Sequence, residues 1–236
     1  MKRLIVAFYL VASLMTVAAA SGFMSVAAAD MGQAKNNQPV TVYIIRHGET
    51  DWNREGRLQG DTDNSLNEAG RSQARDMARQ LAGVNVDHIY PSGLARAIET
   101  AEVFRARAPM TPMPLLNERS RGMYEGKVAD EVADEFRPRF HDLDDDMDGG
   151  ESLRSIADRV SLATREIVAA HPGGTVMIVG HSGVNPLVIA ELAGIPPEQA
   201  IADISQSNDE VFKVQAYPND TVSMWKMVTR DRLEDF

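Results

Sequence analysis

Arg46-His47-Gly48-Glu49 stands at the carboxyl end of the apolar run Val40-Thr41-Val42-Tyr43-Ile44-Ile45. An imidazole can attack phosphorus, a guanidinium offers phosphate oxygens a planar fork of donors, and a glycine lets the backbone come close to a ligand. These types in this order point to phosphoryl chemistry, which needs an in-line nucleophile, cations on the equatorial oxygens and an acid for the leaving oxygen. The stretch continues as Thr50-Asp51-Trp52-Asn53 and then Arg57-Leu58-Gln59-Gly60-Asp61. A second histidine, His181, follows the apolar run Thr175–Val179 and is flanked by the small residues Gly180, Ser182 and Gly183. Arg96, within Ser92–Ala101, is a second candidate cation, and Glu118 a candidate acid.

Two apolar, β-branched runs that end in histidine read as buried strands, and open α/β sheets place their ligand sites beyond the carboxyl ends of such strands. Between them lies a helix capped by Asn67, or by Ser65 three residues before Glu68. It carries Ala74, Met77, Ala78 and Leu81 and ends at Gly83. A short strand at Val86–Tyr90, a helix at Leu94–Arg105 and a strand at Pro112–Leu116 follow. Glu151–Ala170 is a long helix with Leu153, Ile156, Val160, Ile167 and Val168 roughly on one face. A helix at Val184–Ala193 ends at Gly194, and Glu210–Tyr217 with Thr221–Val228 form a hairpin. This alternation predicts an α/β fold with a largely parallel sheet covered by helices on both faces.

Four separated blocks now carry a family resemblance. They are Arg46–Asn53; Ser92-Gly93-Leu94-Ala95-Arg96-Ala97-Ile98-Glu99-Thr100-Ala101; Leu116-Asn117-Glu118 with Gly122 and Glu125-Gly126; and Val179-Gly180-His181-Ser182-Gly183. In this order the chain resembles the histidine phosphatase superfamily, in the branch of phosphoglycerate mutases and fructose-2,6-bisphosphatase, from about Val40 to at least Val188. Gly93 replaces the family's usual proline, which relaxes that turn without touching Arg96. The resemblance implies a three-layer, phosphoglycerate mutase-like fold. It also implies attack by Nε2 of His47, whose other ring nitrogen donates to a backbone carbonyl, and a phosphohistidine that water hydrolyses. Arg46 and Arg96 grip the phosphate, and His181 is a second active-site histidine, cationic and stabilising charge in the transition state. Glu118 donates the proton to the leaving oxygen, provided that burial or nearby negative charge raises its pKa; pairing with Arg119 or Arg121 is the competing role. Asn53, Arg57, Gln59 and Gly60 match the loop that closes over the phosphate. Glu125 is a structural position, and residues 119–150 form a lid.

The whole chain narrows the function further. Its 236 residues suit one domain with processing segments. Met1-Lys2-Arg3, an apolar stretch from Leu4 to Val17 and then small residues make the pattern of a secretory signal. Cleavage is expected before Asp30, after Ala27-Ala28-Ala29, with Ala18-Ala19-Ala20 the competing site. The expected organisation is a signal peptide over 1–29 (alternatively an uncleaved anchor), a linker over 30–39 and a domain over 40–236, periplasmic or secreted. Loss of residues 1–29 removes Lys2 and Arg3 and no acid, taking the net charge from −10 to −12. That acidity argues against nucleic acid and anionic membrane as partners and leaves a small phosphorylated substrate. With no cysteine, neither a cysteine-phosphatase mechanism nor a zinc–thiolate site can operate.

Asp144, Asp146, Asp148 and Gly149 fit the first positions of a calcium loop. Position twelve, however, is Ser155, and Pro138 stands where an entering helix is needed, so Asp142–Glu151 reads as a solvated acidic loop. No metal or cofactor is expected. The expected activity is an exported, metal-independent phosphatase acting on phosphomonoesters. The alternatives are a mutase-type phosphotransferase, an envelope phosphatase acting on phosphorylated glycolipid or phosphoprotein, and an inactive module that binds phosphorylated ligands. His88, His141 and His171 carry no expected role.

Overall fold

β1 (Val40–Arg46) is buried along its length but for Arg46, because it runs through the middle of a mixed sheet. On one side it pairs in parallel with β3 (Thr175–Gly180), which pairs in parallel with β2 (His88–Pro91). On the other side it pairs antiparallel with β4 (Glu210–Ala216), which forms a hairpin with β5 (Val222–Val228). The order is β2-β3-β1-β4-β5. The computed structural model describes residues 38–219 and 221–228. The expected signal segment and its cleavage site lie outside them, as does all but the end of the linker. Among the described residues, no helix is long and apolar enough to cross a membrane.

The helices are α1 (Asp51–Arg54), α2 (Glu68–Gln80), α3 (Ala95–Glu102), α4 (Ala133–His141), α5 (Leu153–Ala170), α6 (Asn185–Ala193) and α7 (Pro197–Asp203). The period-two alternation of the strands sorts them into layers. Val42, Ile44, Val176 and Ile178 pack on α5 and α6 through Leu153, Ile156, Val160, Leu187 and Val188. Tyr43, Ile45, Met177 and Val179 face the opposite way, onto Met77 of α2 and Ala97 and Ala101 of α3. Each fully buried aliphatic side chain contributes roughly 1.5–3 kcal/mol. The three-layer expectation therefore holds, with two antiparallel strands on one edge of the parallel core.

Local signals set most of the ends. Asn67 caps α2 by accepting from the Gly70 N–H, Ser152 caps α5, and Gly194 ends α6 at a left-handed φ of 65°. Other expectations need correction. Pro112–Leu116 is no strand but a 3₁₀ turn at Pro114–Leu116. The first loop contains α1, closed by a reciprocal cap between Thr50 and Asn53. Pro138 sits inside α4 although it removes one helical hydrogen bond. Helix α4 persists because Phe136 and Phe140 join Tyr124, Met147, Val132 and Leu58 in a separate small core. The acidic run is also not simply solvated. Asp145 and Asp148 pair with Arg139, Asp144 pairs with Arg154, and Met147 is fully buried between them.

Candidate active site

Parallel pairing aligns Arg46 with Gly180 and Pro91 with Val179, so β1, β2 and β3 finish together. The His47 N–H continues the ladder onto the Gly180 carbonyl at 3.0 Å, and the Ser92 N–H donates to the Val179 carbonyl at 2.9 Å. This brings residues 47, 92 and 181 to one end of the sheet. The rings of His47 and His181 lie 5.1 Å apart, centroid to centroid, tilted by 51°. Gly48 is required here because a Cβ would fall 2.5 Å from the Gly70 carbonyl oxygen.

His47 is buried, and its Nδ1 lies 2.8 Å from the Gly48 carbonyl. A carbonyl can only accept, so Nδ1 carries the proton and Nε2 keeps its lone pair. Burial, then the charges of His181, Arg96 and Arg46, push the His47 pKa well below its ordinary 6.5 and favour the neutral nucleophilic form. The tautomer expected from the sequence therefore has its partner.

His181 is fully buried, with Nε2 2.7 Å from Ser92 Oγ, while Nδ1 has no hydrogen-bond partner. Ser92 Oγ accepts the Leu94 N–H at 3.2 Å and keeps both a proton and a lone pair, so its contact with Nε2 is made in either ring tautomer, while Nδ1 meets no protein partner. The expected cation is not favoured by the protein's own field. Burial, then Arg96, Arg46, Arg159 and Arg121, hold His181 well below 6.5. Only an incoming anion would reverse that balance.

Three arginines complete the cluster. Arg46 donates from Nη1 to the Gln206 carbonyl at 2.8 Å. Arg96, fully buried, donates to the carbonyls of Thr62 at 2.8 Å and Gly60 at 2.7 Å. Arg121, buried against the Phe140 ring at 4.4 Å, lies 3.4 Å from Glu118. Arg46 Nε, Arg96 Nε and Arg121 Nη1 are all buried without a partner. Buried donors are rarely left so, and a cluster of them indicates a place for an acceptor ligand.

Glu118 is buried beside this cluster. It accepts from the N–H groups of Arg119 at 2.8 Å and Gly183 at 3.0 Å. Gly183 leaves room for that contact, since a Cβ there would collide with Oε1. Burial alone would raise its pKa, but Arg121, these two N–H groups and Arg96 outweigh it and hold the carboxyl below its usual 4.5. The competing role as partner of Arg121 is thus real, although Glu118 remains at the edge of the site. Arg119 is no ion-pair partner: its guanidinium donates to the carbonyls of Glu151, Phe140 and Asp145 and ties that segment together.

The loop residues divide. Asn53 spends its amide oxygen on the Thr50 N–H at 3.1 Å, and Gln59 Oε1 lies 2.9 Å from the Thr50 hydroxyl. Gly60, at φ 59°, presents its carbonyl to Arg96, and a Cβ there would strike Glu125. Arg57 is bound to Glu55 at 2.7 Å and to the Gly126 carbonyl at 2.7 Å, so it joins the first loop to the segment at Gly126. Glu125 is structural as expected, accepting from the N–H groups of Asp61, Thr62 and Arg121.

Several residues went unread in the sequence. Gln206 receives Asn185 Nδ2 at 2.7 Å, donates to the Ile44 carbonyl at 3.0 Å and offers its own carbonyl to Arg46. Asn208 donates to the His47 carbonyl. The available signal was a polar run, Ser205–Asp209, entering an apolar strand; only the antiparallel direction of β4 puts that entry beside His47.

The model of the histidine phosphatase superfamily (branch 1) matches residues 42–226. Phosphoglycerate mutase-like protein 4 of Arabidopsis thaliana is 33% identical over 195 residues, covering 78% of this chain and 84% of that protein. Among solved structures, Bacillus stearothermophilus YhfR is 32% identical with a TM-score of 0.65, covering 74% of this chain and 90% of that one. A mycobacterial glucosyl-3-phosphoglycerate phosphatase is 26% identical with a TM-score of 0.68, covering 81% and 98%.

Proposed function

This chain belongs to the histidine phosphatase superfamily (branch 1), and from that premise we propose that it is an exported, metal-independent phosphatase that hydrolyses phosphomonoesters through a phosphohistidine on His47. One observation carries the reading. Among the described residues, three buried guanidinium donors without protein acceptors, on Arg46, Arg96 and Arg121, and an unpartnered His181 Nδ1 accompany a histidine whose Nε2 is free to attack.

In the first step His47 Nε2 forms a bond to phosphorus while the ester P–O bond breaks, and Glu118 gives its proton to the leaving oxygen. In the second, water attacks phosphorus, the P–N bond breaks, and Glu118 takes the water's proton. The three guanidinium groups and His181 Nδ1–H hold the equatorial oxygens, so side chains supply the positive charge that phosphoryl transfer needs. The bound dianion opposes the effect of Arg121 on Glu118 and raises its pKa toward the range of a useful acid. Substrate charge thereby prepares the proton donor. Export rests on the charged, then apolar, then small-residue pattern over residues 1–29.

Single-turnover reaction with a ³²P-labelled ester, quenched in alkali, is expected to trap label on His47. His47→Ala should lose both label and turnover, by about 10⁴-fold or more for removal of a covalent nucleophile. Steady hydrolysis with no label at His47 overturns the mechanism, and loss of turnover in EDTA overturns metal independence. The mutase alternative has the name of the Arabidopsis relative in its favour. Turnover of 3-phosphoglycerate by isomerisation faster than phosphate release would establish it instead.

A further inference from the structure

Against Glu118, and with neither histidine in its lining, lies a cavity of about 400 Å³, a size suited to a small ligand. If the phosphate sits on the arginine cluster with its ester oxygen toward Glu118, the alcohol part of the substrate enters this space. Its charged lining is Asp61, Glu118, Glu151 and Arg159. Arg159 is spent: Nε and Nη2 each donate to the Glu151 carboxylate at 2.7 Å, and Nη1 donates to the Leu115 carbonyl at 2.7 Å. Glu118 is occupied by Arg121 on its other side, and Asp61 stands beside Glu125. Among the described residues no uncommitted cation lines the cavity, whereas carboxylates approach it from three segments of the chain.

The remaining polar lining suits hydroxyl groups. The Asn117 amide oxygen is taken by the Gly93 N–H at 2.7 Å, which leaves Nδ2 to donate, and the Ser120 hydroxyl reaches Glu125 at 3.2 Å while keeping a lone pair. An anionic group entering here would lose its hydration among like charges and meet only neutral donors, with no free cation to offset that loss. We propose that the cavity beside Glu118 selects phosphomonoesters whose leaving alcohol is uncharged and hydroxyl-rich, a polyol or sugar, and rejects those whose alcohol carries a carboxylate or a second phosphate. This rests on the phosphatase reading above and adds the substrate class to it.

Glycerol 3-phosphate and 3-phosphoglycerate test it as a matched pair, since they differ in a hydroxymethyl against a carboxylate at the far end. For the wild-type protein, kcat/KM for phosphate release should favour glycerol 3-phosphate by tenfold or more. Glu151→Gln releases Arg159 from its partner and should narrow that ratio about fivefold, chiefly by raising activity on 3-phosphoglycerate. Asp61→Asn should narrow it in the same direction and serves if the first variant fails to fold. Equal or better use of 3-phosphoglycerate overturns the proposal while leaving the phosphatase reading intact. A preference that neither folded variant alters overturns it as well. Failure to hydrolyse either ester or p-nitrophenyl phosphate removes the phosphatase reading, and the proposal with it.

Discussion

Two sets of buried or half-buried arginines lie close together in this protein and are used in opposite ways. Arg46, Arg96 and Arg121, at the carboxyl end of the sheet, each keep a buried N–H without an acceptor. Arg119, Arg139 and Arg159, in and beside residues 119–150, point their donors at carbonyls or carboxylates of the protein itself. Burial costs both sets the hydration of a cation. In the second set that cost is offset internally, so those side chains hold structure. In the cluster it is offset only in part, and the remainder favours whatever anion arrives. Burial of arginine therefore does not identify a binding site; the unspent donors do.

The comparison is broken most severely if Arg96 behaves like Arg119. Arg96→Gln is expected to lower kcat by about 10²–10³-fold, the scale seen when one transition-state donor is removed. An effect below tenfold would mean that its role is only to hold the Gly60 and Thr62 carbonyls. Arg119→Met strands three carbonyls and should cost about 3 kcal/mol of stability, or a melting temperature about 6–12 °C lower. Thermal unfolding checks the magnitude, and hydrogen exchange should show the loss concentrated in residues 119–151.

Smaller effects sharpen the electrostatics. Glu118 must be protonated to serve as acid, and its pKa in the free protein lies below 4.5. kcat/KM should therefore decline as pH rises from the acidic side, with the kcat limb at higher pH because bound phosphate raises that pKa. Neutral His47, with its pKa well below 6.5, keeps the nucleophile available through the same range. Removal of the cation in Arg121→Gln takes away the strongest lowering influence on Glu118. Its kcat/KM limb should move to higher pH, a shift readable in pH profiles of both proteins. Least affected should be Arg57→Gln, since Arg57 is half-exposed and bound to Glu55 and Gly126. A change in kcat/KM of less than about threefold is expected, in line with surface pairs worth ~1 kcal/mol or less. A larger loss would return Arg57 to the phosphate loop.

Legibility from the sequence followed the range of the interactions. The strands at Val40 and Thr175, the Asn67 cap and the Gly194 stop are local signals, and each appears where its pattern stands. The 112–116 segment misled because short apolar residues after a proline fit a strand and a 3₁₀ turn equally well. Helix α4 was hidden by Pro138, whose local penalty is outweighed by contacts with Tyr124 and Met147. Arg121 stood in view as a lid residue. Its place in the anion cluster depends on Glu118 beside it and on two phenylalanines of α4.

What the order of residues determined alone was the reactive inventory: a histidine at the end of each of two buried strands, arginines beside them, and a carboxyl in a glycine-bearing loop. Those are statements about residue type and nearest neighbours, which a chain carries before it folds. Whether a given donor is spent or unspent was decided only by tertiary structure. Arg46 meets Gln206 and Arg96 meets Gly60 across 160 and 36 residues of chain. No local pattern records which acceptors such distances bring within reach.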